Sequence, residues 1–310
     1  MSSSSFGTAQ VIAEKQTNSF RLAIAGGRVF WATRGEALAN VPGGLHSVAV
    51  TGGAVTHHST VATYAVKSAQ GKLYWSDDAG IHSMSPDGSD PKLVVKAETN
   101  PAHDLAIGGG FAWLSLPYGA AYPFARAPLA GGPVEPLPMT ATVSVGYLTA
   151  TDSTVYVEVA ASSDPFLFQV PMADPTAASS AVNNVLFAQM AFDAQHLYFA
   201  TPTGPSRLPL AGGAPEALGS FESVAGVAVE PHAAYVTSDP SNGCLEGAGQ
   251  VHRIDLDTKE VKLIADGQTC PSGIQIDASG VWWVNAGTTL DATYALNDPE
   301  TGSLMFAKRL

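Results

Sequence analysis

The chain has 310 residues, of which 45% are hydrophobic and only 14% charged, with 31 glycines and 21 prolines. That balance suits many short strands and tight turns around a large core, and it excludes a protein built on long helices. The net charge is −12 and the 15 basic residues are scattered, which excludes nucleic acid and anionic membrane as partners, since phosphate binding needs clustered Lys and Arg.

Taken in order, the chain opens with MSSSSFGT, which lacks the basic-then-apolar pattern of a leader. Residues 1–7 read as a disordered tether. The expected location is extracytoplasmic (secreted, periplasmic or envelope-tethered), with the signal peptide absent from this chain; a cytoplasmic protein is the alternative. No apolar run approaches the roughly 18 residues of a membrane span. A first strand is predicted near Gln10–Glu14. From there a pattern recurs seven times: a small apolar strand, a polar turn, then a strand carrying aromatics. The copies are LAIAGGRVFWAT (22–33), YAVKSAQGKLYWSD (64–77), LAIGGGFAWLSL (105–116), LTATDSTVYVEV (148–159), MAFDAQHLYFAT (190–201), VAVEPHAAYVTS (227–238) and IQIDASGVWWVN (274–285). Their aligned aromatics, Phe30, Tyr74, Trp113, Tyr156, Tyr198, Tyr235 and Trp282, recur at intervals of 37 to 47 residues.

The second copy is the clearest whole unit. Strands are predicted at Tyr64–Val66, Lys72–Asp77, Gly80–Ser85 and Lys92–Lys96, separated by Gln70-Gly71, Asp78-Ala79-Gly80 and Pro86-Asp87-Gly88. Against the other copies it reads as two residues longer, at Ala69-Gln70 or nearby. Third and fourth strands recur in SVAVTGGAVTHHS (47–59), RAPLAGGPVEPLP (126–138), RLPLAGGAPEALG (207–219) and VHRIDLDTKEVKLIADG (251–267). In the innermost strands one position is small in all copies but the last: Ala23, Ala65, Ala106, Thr149, Ala191, Ala228, Gln275. The position before it is large and apolar. Strands crowded about an axis need one small face, while the other fills the space between sheets.

Four-stranded units repeating about every 40 residues are those of a β-propeller. The expected fold is all-β: one domain over 8–310, a seven-bladed β-propeller of four-stranded antiparallel blades. TAQVIAEKQTNSFRLAIAGG (8–27) resembles PKLVVKAETNPAHDLAIGGG (91–110), so the chain begins on an outer strand. The ring is therefore expected to be closed by the N-terminal strand joining three C-terminal strands, which removes open edges. The alternative makes Ser303–Arg309 the fourth strand and leaves the N-terminal segment over.

YWSD at 74–77 resembles the YWTD repeat of lipoprotein-receptor propellers, in one copy of seven. Over residues 8–310 the chain is more similar to bacterial secreted or lipoprotein-type propellers with repeats of the form VYW followed by VPxxGG; APLAGG (127–132) and LPLAGG (208–213) carry that resemblance. It implies the fold. More distant relatives in architecture are gluconolactonase-type and streptogramin-lyase-type enzymes, whose metal-binding carboxylates and histidines have no counterparts placed here.

Loops joining second to third strands are expanded at Arg34–Gly44, Pro117–Tyr122, Asp239–Gly249 and Ala286–Thr301. They share a rim with the outer-to-inner links, and expanded loops on one rim point to a binding surface. Cys244 and Cys270 fall on that rim, where a disulfide would pin the sixth unit's loop and imply an oxidising compartment; two free thiols are the alternative. His103 and Asp104 stand at the entry to an inner strand, where a His beside a carboxylate can act as a general base or help hold a cation. Equivalent entries are Arg21, Thr63, Tyr147 and Gln189, together a polar, ligand-binding ring at the channel mouth. Asp239 and Asp291 could join from the loops. His57-His58 reads as solvated on an outer strand, and His46, His82 and His252 as structural repeat residues. Trp31, Trp75, Trp283 and Phe199 read as core. No nucleophile elbow, P-loop, HExxH or calcium loop is present, and no metal-ligand set is assigned, although the channel could hold a divalent cation. The expected function is a monomeric binding protein that takes a small molecule or a protein on its loop-rich face. The alternative is a lyase or hydrolase with a metal or the His103–Asp104 pair at the channel mouth.

Overall fold

A computed structural model describes residues 5–16, 18–35, 42–97, 101–117, 120–137, 139, 143–161, 164–186, 188–241, 244–288 and 301–310. Its strands form seven four-stranded antiparallel sheets, arranged as a seven-bladed β-propeller. Two compact units divide the chain: Met1–Ala62 with Gln189–Leu310, and Thr63–Ala188.

In the first unit, β1 (Gln10–Glu14) precedes sheet 1, which is β2 (Ser19–Ala25), β3 (Arg28–Thr33), β4 (Gly44–Ala49) and β5 (Thr56–Ser59). The second unit holds three sheets. Sheet 2 is β6 (Thr63–Ala69), β7 (Lys72–Asp77), β8 (Gly80–Met84) and β9 (Lys92–Lys96). Sheet 3 is β10 (Asp104–Gly108), β11 (Phe111–Ser115), β12 (Phe124–Pro128) and β13 (Glu135–Pro136). Sheet 4 is β14 (Ser144–Ala150), β15 (Thr154–Ala161), β16 (Asp164–Pro171) and β17 (Ser179–Asn183).

The first unit resumes with sheet 5, β18 (Ala191–Phe192), β19 (His196–Thr201), β20 (Gly204–Pro209) and β21 (Glu216–Ala217). Sheet 6 is β22 (Val224–Glu230), β23 (Ala233–Ser238), β24 (Gly249–Asp255) and β25 (Val261–Gln268). Sheet 7 is β26 (Pro271–Ile276), β27 (Gly280–Asn285) and β28 (Ser303–Lys308), completed on its outer edge by β1. The N-terminal strand therefore closes the C-terminal blade as expected.

The pairing of the ends reaches beyond β1. Phe6 bridges Arg309, the Gly7 N–H donates to the Lys308 carbonyl at 2.8 Å, and the Phe6 ring meets Tyr235 edge-on at 6.0 Å. Ser5–Gly7, assigned to a tether from the sequence, are held by the C-terminal edge because a buried ring and a backbone ladder are available to them.

The core lies between sheets. All seven repeat aromatics are buried, as are Trp31, Trp75, Trp283 and Phe199. Burying each large apolar side chain contributes roughly 1.5–3 kcal/mol. In the second unit one apolar cluster joins Tyr74, Ile81 and Val95 of sheet 2 to Leu105, Leu114 and Ala125 of sheet 3, and another joins Trp113 and Phe124 to Leu148, Val155 and Val157 of sheet 4.

One register differs from the sequence alignment. Tyr74 pairs with Lys67, not with Ala65, just as Phe30 pairs with Ala23 and Trp113 with Ala106. The second copy carries no insertion: β6 runs to Ala69, and Gln70-Gly71 is a two-residue turn with φ of 52° and 73°. Gly26-Gly27 has the same form at 54° and 72°. Both central residues at positive φ give the turn whose twist matches paired strands. Lys67 therefore occupies the position that is small in most other sheets.

Candidate functional site

Lys67 reaches past its own sheet. Its Nζ lies 3.1 Å from the Leu148 carbonyl oxygen and 3.6 Å from Asp104 Oδ2. Asp104 is fully buried, and its Oδ2 accepts the Leu148 N–H at 2.8 Å. Side chains from sheets 2 and 3 thus hold both polar groups of one residue on β14. A buried carboxylate is costly unless paired and hydrogen-bonded, and here it has a cation and a backbone donor. His103, beside it in sequence, donates its backbone N–H to the Ser115 carbonyl at 2.8 Å, and its ring stacks on Tyr64 with centroids 5.7 Å apart. Thr63 is buried opposite Asp77 at the start of β6. Tyr147 is half-buried, and its N–H lies 3.3 Å from Glu158 Oε2.

The other entry residues belong to the first unit. Gln189 turns its amide onto β26: Nε2 donates to the Ile274 carbonyl at 2.7 Å, and Oε1 accepts the Ile274 N–H at 3.2 Å. Its backbone forms a parallel bridge to Gly226 of sheet 6. Gln189 thus joins sheet 6 to sheet 7 from the entry to sheet 5. Arg21 is buried, with Nη1 3.4 Å from the Phe20 carbonyl.

A second set of polar residues was not singled out from the sequence. Two positions after the repeat aromatic stand Ser76, Ser115, Glu158 and Thr237, all buried. Ser76 Oγ donates to the Ala102 carbonyl at 2.8 Å, Ser115 Oγ to Val145 at 2.7 Å, and Thr237 Oγ1 to Ser272 at 2.7 Å. Glu158 inverts the polarity and accepts the Ala188 N–H at 3.3 Å. Each bond joins a second strand to the chain entering the following innermost strand. The signal was a polar residue at a fixed offset of two from the repeat aromatic.

Sheets 2 and 3 also frame a shallow cleft of about 40 Å³ that opens to solvent. Gly80, Ile81, Val95, Lys96, Ala97 and Ala102 line one part of it, and Leu114, Leu116, Ala120, Ala121, Tyr122 and Val134 the rest. It exists because alanines and a glycine stand where larger side chains would fill the gap between sheets. Gly80 is required: at φ 138° a Cβ would collide with the Val95 carbonyl oxygen and the Ala97 nitrogen. Lys96 is the only charged lining residue among those described. The cleft lies where the Asp77–Gly80 turn, the chain before Asp104 and the expanded Pro117–Tyr122 loop meet. Of the four expanded loops, residues 36–41, 118–119, 242–243 and 289–300, Asp291 included, lie outside the described residues.

Cys244 and Cys270 form a disulfide across 26 residues, with Cα atoms 4.5 Å apart. Asp239 caps the same corner: Oδ2 accepts the Cys244 N–H at 2.9 Å and Oδ1 the Ser241 N–H at 3.1 Å. The carboxylate and both sulfurs converge within 4.8 Å, but sulfurs joined to each other are not thiolate ligands.

No family model and no curated protein matches the sequence. Solved structures do match in fold. The extracellular domain of the one-component system BT4673 from B. thetaiotaomicron superposes with a TM-score of 0.65 at 13% identity, over 96% of this chain and 39% of that one. A chain of the mitotic checkpoint complex gives 0.64 at 11% identity, over 99% and 91%. Puromycin hydrolase gives 0.62 at 14%, over 92% and 53%. This chain therefore spans about two-fifths of the length of the BT4673 domain. At these identities the likeness is one of fold: a β-propeller. No helix among the described residues is long and apolar enough to cross a membrane.

Proposed function

We propose that the protein is an extracytoplasmic binding propeller that holds a small amphiphilic acid in the cleft between sheets 2 and 3. The observation that carries this is the cleft itself: Ile81, Val95, Leu114, Leu116 and Val134 offer an apolar wall, and the exposed Lys96 is the charged residue at its edge among those described. An apolar pocket with few polar groups is the usual form of a small-molecule site. The disulfide supports an oxidising compartment, and the extracellular placement of the BT4673 domain agrees with it. His103 and Asp104 serve in this reading to set the inner strands, since the carboxylate is taken up by Leu148 and Lys67.

The test is a ligand-observed saturation-transfer screen with hexanoate and phenylacetate as probes. Both should receive saturation from the native protein. Ala121 is exposed at the cleft, so Ala121→Trp should fold normally, fill the cleft and abolish the transfer. Equal transfer to native and variant protein would reject the assignment.

A further inference from the structure

We propose that His46 and His57 form a binding site for a divalent transition-metal ion that prefers nitrogen ligands, Cu(II) foremost. The two residues are cross-strand partners on β4 and β5. Their Nδ1 atoms face each other at 2.8 Å. Only one of two such nitrogens can carry a proton, so the gap holds either a shared proton or a cation. The geometry suits a cation: at a metal–nitrogen distance of about 2.05 Å, atoms 2.8 Å apart subtend roughly 86°. That is the angle between neighbouring ligands in a tetragonal site, the arrangement Cu(II) and Ni(II) favour.

The ring of His46 is built into place. Thr33 Oγ1 donates to the Gly44 carbonyl and lies 3.0 Å from His46 Nε2, so it accepts the Nε2 proton and leaves a lone pair on Nδ1. A hydrogen bond to the second ring nitrogen is the usual device for orienting a metal-ligating histidine. The other side of the ring rests over Gly44, where an added Cβ would come within 2.8 Å of Cε1. Trp31 flanks it with centroids 5.5 Å apart. His57 is exposed, which leaves a path for the ion and for water at the remaining positions. In the metal-free site the proton between the rings sits on His57 Nδ1; on binding it is released to solvent, exposed Nε2 takes up the ring's proton from water, and His57 turns a second lone pair toward the metal.

His58 follows in sequence, but successive strand residues point to opposite faces. It bonds Ser47 Oγ at 2.8 Å, beside Arg28, which donates to the same hydroxyl. It is therefore the internal control. Titration calorimetry and electron paramagnetic resonance with Cu(II) alone as the probe test the site. The native chain should take up one ion with hyperfine structure from two imidazole nitrogens. His57→Asn, at an exposed position, should weaken binding at least tenfold, and His58→Asn should leave it unchanged. Failure of the native chain to bind a stoichiometric ion, equal affinity in His57→Asn, or an equal loss in His58→Asn would each overturn the proposal.

Discussion

Lys67 Nζ and the Leu148 carbonyl oxygen lie 3.1 Å apart, although 81 residues separate them in the chain. With Asp104 on the Leu148 N–H, the pair ties three successive sheets of the Thr63–Ala188 unit together at their innermost strands. Lys67→Met removes the cation from a buried carboxylate and should cost about 1–3 kcal/mol in a urea titration. Adding Asp104→Asn removes the charge left behind and should return part of that loss. Strict additivity of the two substitutions would show that the side chains do not act as a pair.

A second prediction isolates one inter-sheet bond. Thr237→Val keeps the shape of a buried side chain but deletes its donation to the Ser272 carbonyl at 2.7 Å. Leaving that carbonyl unsatisfied should lower stability by about 1–2 kcal/mol, measured by chemical denaturation. Thr237→Ser keeps the hydroxyl and should retain most of the bond's contribution.

These two sites mark where sequence reading succeeded and where it stopped. Blade number, the Gln10–Glu14 closing strand and the Cys244–Cys270 link were legible because each rests on periodicity, resemblance between segments or shared loops. Lys67 was missed because the second repeat was aligned on its small residue, Ala65. Aligning Gln70-Gly71 with Gly26-Gly27 puts Lys67 in the correct place, so turn chemistry held the answer. Gln189 was singled out as a polar strand-entry residue of a ligand-binding ring. Its bond to Ile274 was not legible, since that contact spans 85 residues and depends on how three sheets meet. The cleft was legible only as an expanded loop, because its volume is set by small residues contributed from two sheets.

The disulfide gives a third prediction. Closing a loop of 26 residues restricts the unfolded chain by roughly 3.5 kcal/mol in the chain-entropy account. Cys244→Ser with Cys270→Ser should lower unfolding stability by about that amount. No change in the denaturation midpoint would mean that the bridge does not form.

A fourth concerns pH. Burial holds the His252 pKa below its ordinary value against an opposing pull from Asp266, and its Nδ1 has no hydrogen-bond partner among the described residues. The folded protein therefore resists protonating a ring that the unfolded chain protonates below about pH 6.5. The unfolded state then binds more protons, so this residue's contribution is full above that pH and is lost as pH falls toward the lowered value. His252→Leu should flatten, without abolishing, the fall of the melting temperature between pH 7.5 and 5, since burial also holds His46 and His58 low; an unchanged slope would remove His252 as a contributor.

The binding role itself is tested most directly by methyl-resolved nuclear magnetic resonance of the Ile, Leu and Val side chains during titration with phenylacetate. The expected result is saturable shifts concentrated at Ile81, Val95, Leu114, Leu116 and Val134, the apolar wall of the cleft. Spectra unmoved at those five residues, or shifts centred on another part of the chain, would contradict it.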